Sequence, residues 1–332
     1  MRKSILAASI AALATPAAFA GDVTTAADFN LNINGGMTAG YFSTNNNAGS
    51  GNEDTSYQVS DFLIELSGEA SKAVSFVGAF GSMSGVSVVE GNIDAPGYPY
   101  GFQYGWLSVA PTKGLSIDAG LLATNVGYEI PPTYANANIT RSAVWYNEPD
   151  YYPGVRLSYD MGGMGVYVEA NSDSLGTATA AWAAGINGSA ASVDYAVSYF
   201  KYNGYKDLID VILSGEVAGM TVAANLDYHQ LKNAPSAGAD DNALGLALYV
   251  TPSVGDFDVP LRVEYLSDGN SGIFGVDSGY TFTITPTYHY TDNTFVRAEL
   301  SYVATDNKIF MDKDGGLQDN KTSFAVQAGF IF

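Results

Sequence analysis

The 332-residue chain has no cysteine, which excludes disulfide frameworks, thiolate metal sites and thiol nucleophiles. Basic residues are scarce: 14 lysines and arginines stand against 34 acidic residues, a formal charge of −20. That balance leaves no basic face for nucleic acid or anionic lipid. Charged residues of either sign make up only 14% of the chain, well short of the roughly 25% usual in soluble domains. Long apolar runs are missing too. Past Ala20 no run reaches about 18 apolar residues, so crossing a membrane with helices is excluded. What the chain has in plenty is tyrosine (23), phenylalanine (16) and glycine (37).

The opening MRKSILAASIAALATPAAFA combines a basic start (Arg2, Lys3), an apolar stretch from Ile5 to Leu13, and Ala18-Phe19-Ala20 ahead of Gly21. These are the three parts of a secretory signal peptide over residues 1–20, with cleavage expected after Ala20. Residues 21–332 then form one domain, with a charge of 12 − 34 = −22 because Arg2 and Lys3 leave with the leader.

After residue 25 the dominant pattern is alternation. Val155, Leu157 and Tyr159 interleave with Arg156, Ser158 and Asp160; Val296, Ala298, Leu300 and Tyr302 interleave with Arg297, Glu299 and Ser301. Successive side chains of a strand point to opposite faces, so each such segment has one apolar and one polar face. Sixteen segments of this kind predict strands near 27–43, 57–68, 73–82, 100–110, 115–125, 153–160, 164–171, 178–186, 191–201, 207–217, 220–230, 242–251, 257–266, 280–289, 293–304 and 321–332. Alanines blur the faces of 178–186, and two such blurred segments leave fourteen to eighteen strands as the range.

Seven tight connections (69–72, 111–114, 161–163, 187–190, 218–219, 252–256 and 290–292) alternate with eight mostly longer, polar ones, the longest being 126–152. The fold class expected is all-β: an antiparallel transmembrane β-barrel with short periplasmic turns and long extracellular loops. A soluble β-sandwich need not sort its connections by length, and a propeller would repeat near every forty or so residues, which this chain does not. The apolar face lacks charge in nearly every strand, as lipid contact requires, because a charge at mid-bilayer costs roughly 2–4 kcal/mol.

Two resemblances sharpen this expectation. The final strand places Phe324, Val326, Ala328, Phe330 and the terminal Phe332 on one face. It resembles the C-terminal assembly signal of bacterial outer-membrane proteins, which implies the barrel assembly machinery as a folding partner and outer-membrane lipid as the surroundings. The segment NITRSAVWYNEPDYYPGVRLSYDM, from Asn138 to Met161, is similar to the OmpL-like group of putative β-barrel porins. The shared features are Thr140-Arg141-Ser142, the aromatic pair Trp145-Tyr146, and the strand start Gly154-Val155-Arg156. Tyr152-Pro153 departs from the histidine–threonine that family members often carry there. The resemblance implies a pore and supplies no solute.

If the apolar face meets lipid, the polar face lines the interior. That places twelve carboxylates inside: Asp28, Asp61, Glu65, Asp118, Asp160, Glu169, Asp194, Asp210, Glu216, Asp227, Glu264 and Glu299. Only Arg156, Arg262 and Arg297 clearly join them, an excess that predicts preference for cations or neutral solutes. Connection 126–152 follows the fifth strand, where general porins carry the loop that narrows the channel. Its Glu129, Arg141, Glu148 and Asp150, with Tyr134, Trp145 and Tyr146, are candidates for a constriction facing Asp118, Arg156, Asp160 and Arg297 on the wall. The alternative is a loop that covers the mouth or packs at a subunit contact. Tyr199, Tyr228, Tyr265 and Tyr302 fall on the lipid face near one end of their strands, as girdle residues do.

No catalytic motif is present, and the two histidines, His229 and His289, read as lumen or interface residues. Asp227 and His229 share a face, a pairing common by chance. Asp312-Lys313-Asp314-Gly315-Gly316 faintly resembles a calcium loop but brings its glycine two positions too early, so no metal or cofactor is expected. The expectation is a non-enzymatic diffusion porin for ions and small hydrophilic solutes, cation-preferring, with a homotrimer possible. The other reading is a structural or adhesive barrel whose lumen is closed.

Overall fold

The computed structural model describes residues 21–24, 30–46, 54–89, 98–172 and 180–332. The expected leader (1–20) and the expected lumen residue Asp28 lie outside the described residues.

One antiparallel sheet closes on itself through sixteen strands. The first eight are β1 Asn30–Thr44, β2 Asp54–Ser71, β3 Val74–Met83, β4 Tyr98–Thr112, β5 Leu115–Ala123, β6 Tyr151–Asp160, β7 Met164–Ser172 and β8 Ala180–Ala190. The second eight are β9 Val193–Lys201, β10 Lys206–Val217, β11 Met220–Leu231, β12 Asn242–Thr251, β13 Leu261–Ser267, β14 Gly279–Ile284, β15 Thr294–Thr305 and β16 Asn320–Ile331. Each pairs with its sequence neighbour, and β1 meets β16 from Gly36↔Ile331 to Thr44↔Ser323, which leaves no long edge unpaired. Pro260 and Pro286 have no N–H to give the ladder, so β13 and β14 break there and resume toward the turn end as Phe257–Asp258 and Thr287–Thr291. A short strand, Gly21–Thr24, pairs back onto the start of β1.

The alternation read from the sequence is the alternation of the wall. Leu248, Val263, Phe282 and Tyr302 are cross-strand partners on β12 to β15 and form an outward apolar row, each 43–47% exposed. Ala243, Ala247 and Tyr249 of the same β12 are buried on the inside. Aromatics mark both rims of this apolar band, as ring systems favour a membrane boundary. Trp182 lies 5.1 Å from Tyr199 and Tyr265 lies 5.5 Å from Tyr280 near the loop end, while Phe257 lies 4.9 Å from Tyr288 near the turn end.

One turn differs from expectation. The connection placed at 187–190 is Ala191–Ser192, with Ala191 at φ 56°, and Asn187, Gly188 and Ser189 belong to β8. Gly188 is there for close approach: a Cβ on it would come within 2.8 Å of the Tyr195 hydroxyl and 2.7 Å of the Gly163 carbonyl.

The interior is far from an open tube. The connection between β5 and β6 runs inside the barrel, with two short 3-10 turns at Thr133–Ala135 and Val144–Asn147. At the loop end, Val88, Val144, Phe274 and Phe310 from four different connections share one buried apolar cluster with wall residues Ala247 and Leu266.

Candidate functional site

The inner connection, residues 124–150, is braced first by its own chain. Its ends are tied by Thr124 N–H to the Asp150 carbonyl at 2.8 Å. Arg141 folds back on it, donating Nη1 to the Pro131 carbonyl (2.9 Å) with its guanidinium 3.7 Å above the Trp145 ring. The Arg141 backbone also pairs with a second inward connection, accepting from Val88 N–H and donating to the Val86 carbonyl.

The wall then holds the connection through charges on inward positions of late strands. Arg262 on β13 donates to Glu129 Oε1 at 2.8 Å and to the Thr140 carbonyl at 2.6 Å. The other oxygen of Glu129 accepts the Ser142 N–H (2.6 Å), so this carboxylate bonds both the wall and its own loop. Glu264 accepts the Ala143 N–H at 3.0 Å, and Glu299 on β15 accepts the N–H groups of Ile139 (2.6 Å) and Thr140 (3.0 Å). Arg297 donates to the carbonyls of Asn136 (2.9 Å) and Thr133 (2.8 Å), steadied by Gln327 of β16. On β2, Asp61 accepts from the Thr133 N–H (3.2 Å) and from the Thr133 and Thr38 hydroxyls. These ionic groups are buried, and charge-assisted bonds to the loop backbone offset part of the cost of that burial.

Farther along, the loop carries Glu148 against β10 and β11. Asn225 Nδ2 reaches Asp227 (3.1 Å), Asp210 (3.2 Å) and Glu148 (3.4 Å), and Asn225 Oδ1 accepts the Tyr128 N–H at 2.6 Å. Burial first, then the Asp227 and Asp210 carboxylates, pushes the Glu148 carboxyl well above its ordinary range. Lys206 anchors the same end, donating to the Asn147 carbonyl (2.7 Å) and its side-chain oxygen (3.0 Å).

The opposite wall, β3 to β7 with the adjoining part of β2, is built differently. Glu65 accepts from the Tyr104 hydroxyl at 2.6 Å, and Asp118 accepts from the Ser108 hydroxyl at 2.5 Å; both are half-buried. Arg156 stands directly across from Asp118 but turns to Glu169 on β7 (2.7 Å) and to the Ala123 carbonyl. Tyr104 stacks on Tyr151 with ring centres 4.9 Å apart, next to Trp106, so this wall carries inward aromatics that the sequence reading assigned no role.

Open space remains on both faces of the loop. Toward the loop end a pocket of about 460 Å³ is lined by Gln103, Tyr146, Glu148, Asp150 and Tyr151. Toward the turn end a pocket of about 190 Å³ is lined by Tyr134, Asn136, Thr221, His289 and Arg297.

The structure thus gathers Glu129, Glu148 and Arg297 at the loop contact, and places Asp118 and Arg156 across the lumen. Asp160 is not among them: it sits at the turn end, where its carboxylate accepts the Gly162 N–H at 2.7 Å. Asp194 and Glu216 are likewise exposed beside turns, bonded to Ser189 and Thr221. The inner cations number more than the three expected arginines. Lys206 and Lys321, both fully buried, hold loop carbonyls from inside the barrel. Lys206 stands at a strand start, where alternation alone assigns no face, whereas Lys321 shares the inward face of Ala325 and Gln327. Asp312 spends its carboxylate on its own turn, accepting from Gly316 N–H (2.7 Å) and Asp314 N–H (2.9 Å), which hold its pKa below the usual value.

Residues 30–332 match the family model described as "Putative beta-barrel porin-2, OmpL-like". No curated protein matches the sequence. Among solved structures, the outer membrane channel DcaP of Acinetobacter baumannii aligns with a TM-score of 0.65 at 12% identity, covering 95% of this chain and 100% of that one. A mutant porin of Rhodopseudomonas blastica aligns with a TM-score of 0.56 at 16% identity, covering 91% of this chain and 100% of its own. At such identities these neighbours speak for the fold alone.

Proposed function

The chain belongs to the putative β-barrel porin-2, OmpL-like, family, and from that premise we propose a cation-preferring diffusion channel narrowed by residues 124–150. An outer-membrane porin is what family and fold share; the selectivity and the constriction are the further reading. The observation that carries it is the one-sided anchoring of the loop. Its polar groups are bonded to β9–β16, to Asp61 and to Thr38 of β1, while Glu65 and Asp118 on the other side stay half-buried, without a basic partner among the described residues. Ions then pass between the loop and that wall, where Glu65, Asp118 and Glu169 against Arg156 leave a local charge of −2. Fixed carboxylates along a narrow aqueous path favour cations through their summed field. Passage is passive, and no step calls for a cofactor.

The test is single-channel recording of refolded residues 21–332 under a potassium chloride gradient. Reversal toward the potassium potential supports the reading, and Glu65→Gln with Asp118→Asn should lower the cation-to-anion ratio by about twofold or more. Chloride preference would overturn it. A second reading has its own observation: the apolar cluster of Val88, Val144, Phe274 and Phe310 fills the loop end as a closed structural or adhesive barrel would. A folded barrel that never conducts would favour that alternative. Conductance in steps of three would speak for the homotrimer.

A further inference from the structure

We propose that Glu148, Asp210 and Asp227 form a binding site for a hard divalent cation of the Ca²⁺ type, tying the inner loop to β10 and β11. The site does not depend on whether the barrel conducts.

Asp210 and Asp227 are direct cross-strand partners, and Glu148 comes down on them from the loop. One oxygen from each lies within 4.8 Å of the others. Like charges facing each other across a strand pair repel, and burial removes the water that would screen them. Their existing partners fall short. Asn225 supplies one amide nitrogen with two hydrogens to three carboxylates. Among the described residues no N–H or O–H donor reaches Glu148 Oε2, Asp210 Oδ2 or Asp227 Oδ2, all of them buried.

A neighbour outside the cluster points the same way. His229 is fully buried, neither ring nitrogen makes a hydrogen bond, and its Nε2 is aimed at Asp227 Oδ2 from 3.5 Å. The imidazole there is placed to orient a ligating carboxylate from behind, as outer-shell partners of metal ligands do. The donors are all carboxylate oxygens, the preference of Ca²⁺, and ion–oxygen bonds of about 2.4 Å span such a spread. On its outer side Glu148 lines the 460 Å³ pocket that opens toward the loop end.

The experiment is equilibrium dialysis of Ca²⁺ against the refolded full barrel in detergent at 0.15 M salt, with Tb³⁺ luminescence excited through tyrosine and tryptophan as a second readout. One saturable equivalent is expected, weakened at least about tenfold in Asp210→Asn/Asp227→Asn and measurably in His229→Gln. Asp194→Asn/Glu216→Gln, which removes two exposed acids near the turns, should bind as the parent does. Folding is checked by heat-modifiable mobility, and the asparagine variants relieve repulsion, so a folded barrel is expected. No saturable equivalent, or equal affinity in Asp210→Asn/Asp227→Asn, would overturn the proposal. Ca²⁺ bound by a folded barrel that does not conduct would uphold the site while removing the channel reading.

Discussion

The two sides of the barrel interior are made of similar residues and put them to opposite use. On β13 and β15, with Lys206 of β10 and Asp61 of β2, the inward charges are buried and spend hydrogen bonds on the backbone of the inner loop. On the facing wall, Glu65 of β2 and Asp118 of β5 bond only neighbouring hydroxyls and stay half-buried. The difference shows that a polar face in a barrel strand is not by itself a pore lining. A carboxylate becomes structural when a peptide N–H is delivered to it and stays electrostatic when only water and hydroxyls are.

The largest test of this contrast removes its cause. Replacing residues 130–146 by a short glycine–serine linker should raise single-channel conductance several-fold, since a sixteen-stranded wall by itself leaves an aqueous channel. Unchanged conductance would mean that the loop does not limit flow. Next comes Arg262→Met, which strands Glu129 and Glu264 in a dry site; loss of one partner of a buried pair costs about 3–5 kcal/mol. Urea unfolding in lipid vesicles should show that loss, accompanied by noisier current. Asp118→Asn on the facing wall should do the reverse, shifting the reversal potential toward zero while the unfolding midpoint holds. Smallest of all, Asp160→Asn at the turn end should alter neither readout, and a shift in reversal potential equal to that of Asp118→Asn would erase the distinction drawn between the walls.

Most of the wall was legible because period-two alternation is a direct print of which side of a strand meets lipid. Leu248, Val263, Phe282 and Tyr302 could be assigned outward with no knowledge of their partners. The turn after β8 was misplaced because Asn187-Gly188-Ser189 has turn chemistry, whereas register across Met164↔Gly188 and Tyr195↔Gly188 requires a strand there. Whether the long loop enters the barrel or covers its mouth was left open, and only that Glu129 and Glu148 sit on it was readable. Its partners were not, because Glu129 meets Arg262 across 133 residues and Thr133 meets Gln327 across 194, and no local pattern encodes a pairing that distant. Lys206 was hidden by its place at a strand start, and the carboxylate cluster by needing three elements at once.

Those separations also set an order in time. The inner loop is made after five strands, yet its anchors Asn225, Arg262, Glu264, Arg297, Glu299 and Gln327 arrive in the last third of the chain. Before β11 to β16 are in place the loop has Asp61, Lys206 and the Val86–Val88 segment to hold, and lacks most of its charged anchors. Contacts that distant in sequence form late, because their closure entropy must be met first. The loop therefore gains most of its hold on the wall only as the barrel closes.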